Sequence, residues 1–271
     1  MKIHFVETQN TRRLAAAIND LTRAQDGTPS LGLLTGDIGL GKSWALDDAF
    51  VSKGIILVRA VSTWRTANAM FKSILKSVGV SPAWSTYDNL NRVVDTLKAR
   101  AGASPTRSVL AIDEADYLMR HARAAQPPDL LEAVRDIHDL ANTPILLVGE
   151  PDLAAALEHN AGLSRAYRRF WDRILVTTEF LPVTASEISR ICLELTDLKC
   201  EPAAAAKLAE LTEGNLRRVN KWLVRLERMA RANAQASISA DMMDAATKKF
   251  KAPAPASARQ HPATRRRAAV A

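Results

Sequence analysis

The chain has 271 residues, 47% of them apolar, only two cysteines, and a formal net charge of +8 with a pI near 9.7. That length holds one large domain, or one domain with a small satellite. No run approaches the ~18 apolar residues of a membrane span, the polar opening excludes a signal peptide, and Cys192, Cys200 and five scattered histidines exclude a zinc or disulfide framework. A reduced, cytoplasmic location is expected.

In chain order, residues 11–24 read as an amphipathic helix with Leu14, Ala17, Ile18 and Leu21 on one side. The turn-rich Asp26-Gly27-Thr28-Pro29-Ser30 closes it. Apolar Leu31-Gly32-Leu33-Leu34 predicts a strand. Directly after it stands Gly36-Asp37-Ile38-Gly39-Leu40-Gly41-Lys42-Ser43, a G-x-x-x-x-G-K-S loop leading into helix-compatible Trp44 to Phe50. Glycines let such a loop turn its N–H groups onto a β-phosphate, and the helix N-terminus adds its positive dipole end. Lys42 would bridge β- and γ-phosphates and the Ser43 hydroxyl would ligate Mg²⁺. A nucleoside triphosphate and Mg²⁺ are therefore the expected ligands.

A second strand is expected around Ile55-Ile56-Leu57-Val58, then helices over 66–78 and 87–101. Strand 108–112 delivers Asp113 and Glu114, an Asp to hold Mg²⁺, mainly through water, and a Glu to polarise the attacking water. The string Asp113-Glu114-Ala115-Asp116 spells DEAD, but a helicase of that type needs two RecA-like domains, and nothing after residue 184 supplies the strands. A helix over 129–141 and strands at 145–148 and 174–180 complete an α/β alternation, which predicts a parallel sheet covered by helices on both faces. From Thr184 the strand signal vanishes and helices read at 184–196, 203–213, 215–235 and 239–250. The expected units are an α/β nucleotide-binding domain (1–182), a helical lid (183–250) and a basic tail (251–271) too poor in large apolar residues to build a core. The tail holds Lys251, Arg259, Arg265, Arg266 and Arg267 without an acid, leaving about +3 for the body.

The P-loop, Ile-Asp-Glu-Ala-Asp-Tyr-Leu (112–118), Leu-Val-Gly-Glu-Pro-Asp-Leu (147–153), an arginine-rich helix and Gly-Asn-Leu-Arg (214–217) together resemble an AAA+ P-loop NTPase. Within that superfamily the chain most resembles the phage Mu B-type transposition ATPases, over about residues 5–230, including Phe5-Val6-Glu7-Thr8 before the Arg12-Arg13 helix. The resemblance implies a sensor 1 at about Glu150, an acid where an amide or hydroxyl is commoner; the alternative is that Glu150 caps the helix starting near Asp152. It implies an arginine finger among Arg165, Arg168, Arg169 and Arg173, with Arg173 the best match and Arg169 and Arg168 in reserve, acting on a neighbour's γ-phosphate in an oligomer. It implies a sensor 2 at Arg217, in the helical lid.

What the resemblance implies for function is an ATP-dependent oligomer or filament on double-stranded DNA that selects a transposition target and activates a transposase, in a bacterial cell or phage-infected host. Candidate DNA contacts are Trp64 and Arg65 after the second strand, Arg120, His121 and Arg123 after the acidic strand end, and Arg218, Lys221 and Arg225 at helical spacing. No base-reading motif is present, so contacts to the backbone, largely independent of sequence and sensitive to salt, are expected. Two other readings stand beside this one. A secretion-associated ATPase of the ExeA type would bring membrane and cell-wall-binding segments, and a replication-initiator or helicase-loader ATPase would bring an origin-reading domain.

Overall fold

The computed structural model describes residues 6–25, 27–102, 107–119 and 128–249. Five apolar stretches become strands: β1 (Leu31–Thr35), β2 (Ile56–Arg59), β3 (Leu110–Asp113), β4 (Ile145–Gly149) and β5 (Ile174–Glu179). They form one parallel sheet in the order β2-β3-β4-β1-β5. Every residue of β1, β3 and β4 is buried, as a sheet covered on both faces requires.

Period-two alternation divides these strands between two cores. Leu31, Leu33, Leu110, Ile112, Ile145 and Leu147 face α3 (Ala67–Ser77), α4 (Thr86–Gly102), α5 (Asp129–Ala141), α6 (Pro151–Leu163) and α7 (Arg165–Trp171). Leu34, Ala111, Leu146 and Val148 face α1 (Gln9–Arg23) and α2 (Lys42–Lys53). Each fully buried leucine contributes about 1.5–3 kcal/mol. The register aligns the strand ends that carry chemistry, with Thr35 of β1 opposite Gly149 of β4 and Ile112 of β3 opposite Leu147.

Beyond the sheet, α8 (Ala185–Thr196), α9 (Pro202–Thr212), α10 (Leu216–Ala232) and α11 (Ala240–Lys249) build a third core around Ile188, Ile191, Leu208, Trp222, Leu226 and Met243. Thr184 and Glu187 start α8 with a reciprocal capping box. The expectation that strands cease at Thr184 needs one correction. Two-residue strands β6 (Lys199–Cys200) and β7 (Ser237–Ile238) pair in parallel within this helical unit, each too short to show a period in sequence.

The N-terminal segment joins the two parts. Val6 is 2% exposed and belongs to the helical core. The Gln9 N–H donates to Glu187 Oε1 at 2.8 Å, and the Arg190 guanidinium donates to the Glu7 carbonyl. On the other side Asn10 exchanges two hydrogen bonds with the backbone of Leu181, at 2.7 and 3.0 Å. Residues 6–10 thus strap the lid to the end of the sheet.

Candidate nucleotide site

Helix α2 begins without a side-chain cap, its N-cap being Gly41, at φ +91° in the left-handed region that disfavours any side chain. The orphan N–H groups of that turn face the end of β1, an anion-binding geometry. In this conformation Lys42 Nζ donates to the loop carbonyls of Gly36 (2.5 Å) and Asp37 (3.1 Å). Burial pulls the lysine pKa down, while Glu150, Asp113, Asp116 and Glu114 pull it up.

Those four acids come from the neighbouring strands. Asp113, the last residue of β3, is 1% exposed. One of its carboxylate oxygens accepts from the Glu114 N–H at 3.0 Å, and the other, Oδ2, has no hydrogen-bond partner among the described residues. Arg59 Nε stands 3.5 Å from it, too far for a good bond, because that guanidinium is taken by Asp47 at 2.5 Å. A buried carboxylate oxygen left unsatisfied beside the P-loop suits a divalent cation. Glu114 holds φ +57°, a backbone conformation that costs a non-glycine residue about 1 kcal/mol, and its side chain is exposed.

Glu150 occupies the N-cap position of α6, but its side chain makes no capping bond, so the capping alternative fails. Asp116 stands at the same helix end, its two oxygens accepting from the Glu150 N–H at 3.2 and 3.0 Å and supplying negative charge there. The Glu150 carboxyl is left lining the cavity, its pKa raised by burial and then by Asp116, with Lys42 opposing.

Between the sheet end and the lid lies a cavity of about 310 Å³. Gly39, Gly41, Lys42, Ser43, Asp113, Glu114 and Glu150 line it, as does Arg217, whose side chain is exposed. Residues the sequence reading did not single out as site residues line its other end: Val6, Thr8, Ile38, Trp44, Ile191, Leu195, Leu216 and Asn220. They come from four distant segments, and the six apolar ones give a flat heterocycle a wall to pack on. The quoted motifs touch this set at Val6 and Thr8 of the opening, Ile38 of the P-loop and Leu216 of Gly-Asn-Leu-Arg.

The arginines lie elsewhere. Arg173 precedes β5, at the opposite end of the sheet from the P-loop, so it cannot reach the nucleotide site of its own chain. Its guanidinium grips Asp139 with two hydrogen bonds, 3.0 and 2.8 Å. Asp139 in turn meets His138 Nδ1 at 2.9 Å, and His138 Nε2 accepts from the Ser30 N–H at 3.1 Å. Arg168 donates to the Ala161 carbonyl at 3.3 Å; Arg165 and Arg169 are exposed on α7.

This chain of contacts has a pH consequence. Burial is the largest influence on His138 and lowers its pKa; Asp139 opposes, while Arg173 and Arg107 add to the lowering. A neutral ring is needed for Nε2 to accept from Ser30. With the folded pKa depressed below the ordinary value near 6.5, the unfolded chain binds the proton first as pH falls. The stability from this group is complete above about pH 6.5 and is lost as pH drops from there through the folded pKa. Thermal melts between pH 7.5 and 5 should therefore fall more steeply for the natural chain than for His138→Gln; parallel slopes would refute this assignment.

Of the candidate DNA contacts, Trp64 requires correction. Its ring is 4% exposed in the core beneath α3, and its indole N–H donates to Ser73 Oγ at 3.0 Å, so it presents nothing to a polyanion. Arg65 beside it is exposed. Arg218 pairs with Glu213 at 2.8 Å, and Lys221 and Arg225 are exposed residues of α10. Arg120, His121 and Arg123 fall outside the described residues, as does the basic tail.

Comparison with known proteins agrees with this geometry. A family model described as AAA domain matches residues 24–157. The DNA transposition protein B of the Mu-like prophage FluMu in Haemophilus influenzae is 24% identical over 216 residues, covering 79% of this chain and 69% of that protein. Among solved structures, the Aeropyrum pernix ORC2 protein superposes with a TM-score of 0.64 at 17% identity, over 93% of this chain and 70% of that one. Cdc6p from Pyrobaculum aerophilum gives 0.61 at 20% identity, over 92% and 69%; both are likenesses of fold. A phosphate loop facing an acidic strand end, with a helical unit closing the cavity between them and an AAA domain matched over the loop, marks the chain as an ATPase of AAA+ fold that is similar to a Mu-type transposition protein B.

Proposed function

We propose that this ATPase assembles on duplex DNA in its ATP-bound form, marks that DNA as a transposition target, activates a transposase, and disassembles on hydrolysis. The observation that carries this reading is the similarity to a DNA transposition protein B, which runs through most of the chain rather than the P-loop alone. The exposed cations Lys221 and Arg225 of α10, and Arg65 after β2, supply backbone contacts of the sequence-independent kind. No helix among the described residues is long and apolar enough to cross a membrane, and the proposed place of action is the cytoplasm of a bacterial cell or phage-infected host.

In the chemical step, the N–H groups at the start of α2 and the Lys42 ammonium, released from the Gly36 and Asp37 carbonyls, hold the β- and γ-phosphates. Ser43 and Asp113 would hold Mg²⁺, which when bound offsets charge on the phosphate oxygens. Glu114 orients a water and takes its proton. Glu150, beside it, faces the same end of the cavity, and Arg217 reaches in from the lid. Arg173 of a neighbouring subunit, or Arg169 one turn earlier, completes the charge balance in trans; Arg173 would have to leave Asp139 to do so. The site is then finished only in an oligomer, and ATP sets the subunit interface.

Negative-stain electron microscopy with non-specific duplex DNA, comparing a slowly hydrolysed ATP analogue with ADP, tests the reading. Filaments or rings on DNA are expected with the analogue and not with ADP. Discrete particles that ignore DNA in both states would overturn it.

A further inference from the structure

The turn that opens α10 touches the P-loop from behind. In a P-loop the N–H groups point inward to the phosphates, so the loop carbonyls must point outward and need partners of their own. Here the lid provides two. Asn215 Nδ2 donates to the Ile38 carbonyl at 2.6 Å, and the Arg217 N–H donates to the Gly39 carbonyl at 3.0 Å. The same Asn215 side chain does a second job, its Oδ1 accepting from the Arg218 N–H at 3.2 Å as the N-cap of α10. The two partners fix the amide orientation, since only the nitrogen can serve a carbonyl and only the oxygen an N–H. The approach is close. A Cβ on Gly39, which holds φ +89°, would come within 2.5 Å of Asn215 Oδ1.

We propose that Asn215 is a positioning residue that latches the lid to the crest of the P-loop, keeping the Ile38-Gly39 segment in its phosphate-binding shape and holding Arg217 over the cavity. The latch rests on the nucleotide-site reading and not on any role in transposition. The helix cap and the latch use different atoms of one side chain, so they can be separated. Aspartate caps a helix as well as asparagine does, but it has no donor for the Ile38 carbonyl and would turn a carboxylate oxygen towards it. Serine also caps and likewise lacks the amide, without adding charge.

The experiment is calorimetric titration of the full chain with a slowly hydrolysed ATP analogue and Mg²⁺, alongside thermal melts, for the natural chain, Asn215→Asp and Asn215→Ser. Both variants should melt within a few degrees of the natural chain yet bind the analogue about tenfold more weakly, the scale of one lost hydrogen bond with its positioning. Arg217→Ala in the Asn215→Ser background should then add less than it does alone, because the arginine is already misplaced. Undiminished analogue binding by Asn215→Ser would overturn the latch, as would a drop in melting temperature large enough to account for the weaker binding. If the natural chain itself failed to bind the analogue, the nucleotide-site reading would fall instead, which keeps the two failures apart.

Discussion

Lys42→Ala is expected to lose ATP binding by about a hundredfold or more, and with it all ATP-dependent assembly on DNA. The size of the effect follows from its surroundings. Asp113, Glu114, Asp116 and Glu150 all bear on this one ammonium, and burial already strips some of its water. Removing it leaves four carboxylates, one of them with an unsatisfied buried oxygen, facing a tetra-anionic triphosphate. A charge-assisted bond to phosphate is also about twice as strong as a neutral one. Calorimetry with an ATP analogue gives the affinity, and electron microscopy with duplex DNA gives the assembly. Normal filaments or rings from the variant would sink the proposed nucleotide dependence.

Glu114→Gln should separate binding from chemistry. Its carboxylate lines the cavity from the end of β3 on a backbone held in the left-handed region, where it can meet a water but makes none of the P-loop contacts. Glutamine keeps the size and hydrogen bonding yet cannot take a proton. Turnover should fall about 10²- to 10⁴-fold, the usual worth of a general base, while ATP affinity stays near that of the natural chain. Under the proposed function the variant then remains assembled on DNA long after ATP is supplied. A phosphate-release assay reads the first effect and light scattering after dilution reads the second. Rapid disassembly of Glu114→Gln would count against hydrolysis as the release step.

Much of the fold was legible because it is written locally. The five sheet strands announce themselves as short apolar runs between breakers, and the 129–141 helix coincides with α5. The P-loop could be read because its eight residues are contiguous and the physics of phosphate binding needs no distant partner. What escaped lay in pairings across long sequence separations. Trp64 follows a strand, where an aromatic can face either way, and Ser73 on α3 decides that it faces inward. Glu150 is met through its own N–H by Asp116, 34 residues earlier, a contact no local window of sequence contains. Arg173 likewise meets Asp139, 34 residues before it. The apolar end of the cavity draws on residues 6, 191, 195 and 216, a set no window of sequence brings together.

The strap formed by residues 6–10 bears on how the chain reaches this structure. Its contacts with the lid span 178 and 183 residues, so the strap must wait for a segment synthesised long after it. The sheet and its two helical layers can close on shorter connections, and loop-closure entropy favours them forming earlier. Until α8 emerges, Val6 has no core to enter and the cavity lacks the wall that Ile191 and Leu195 supply. Competence to hold a nucleotide would therefore arrive late in synthesis, when the amino-terminal strap threads between a finished sheet and a newly made lid.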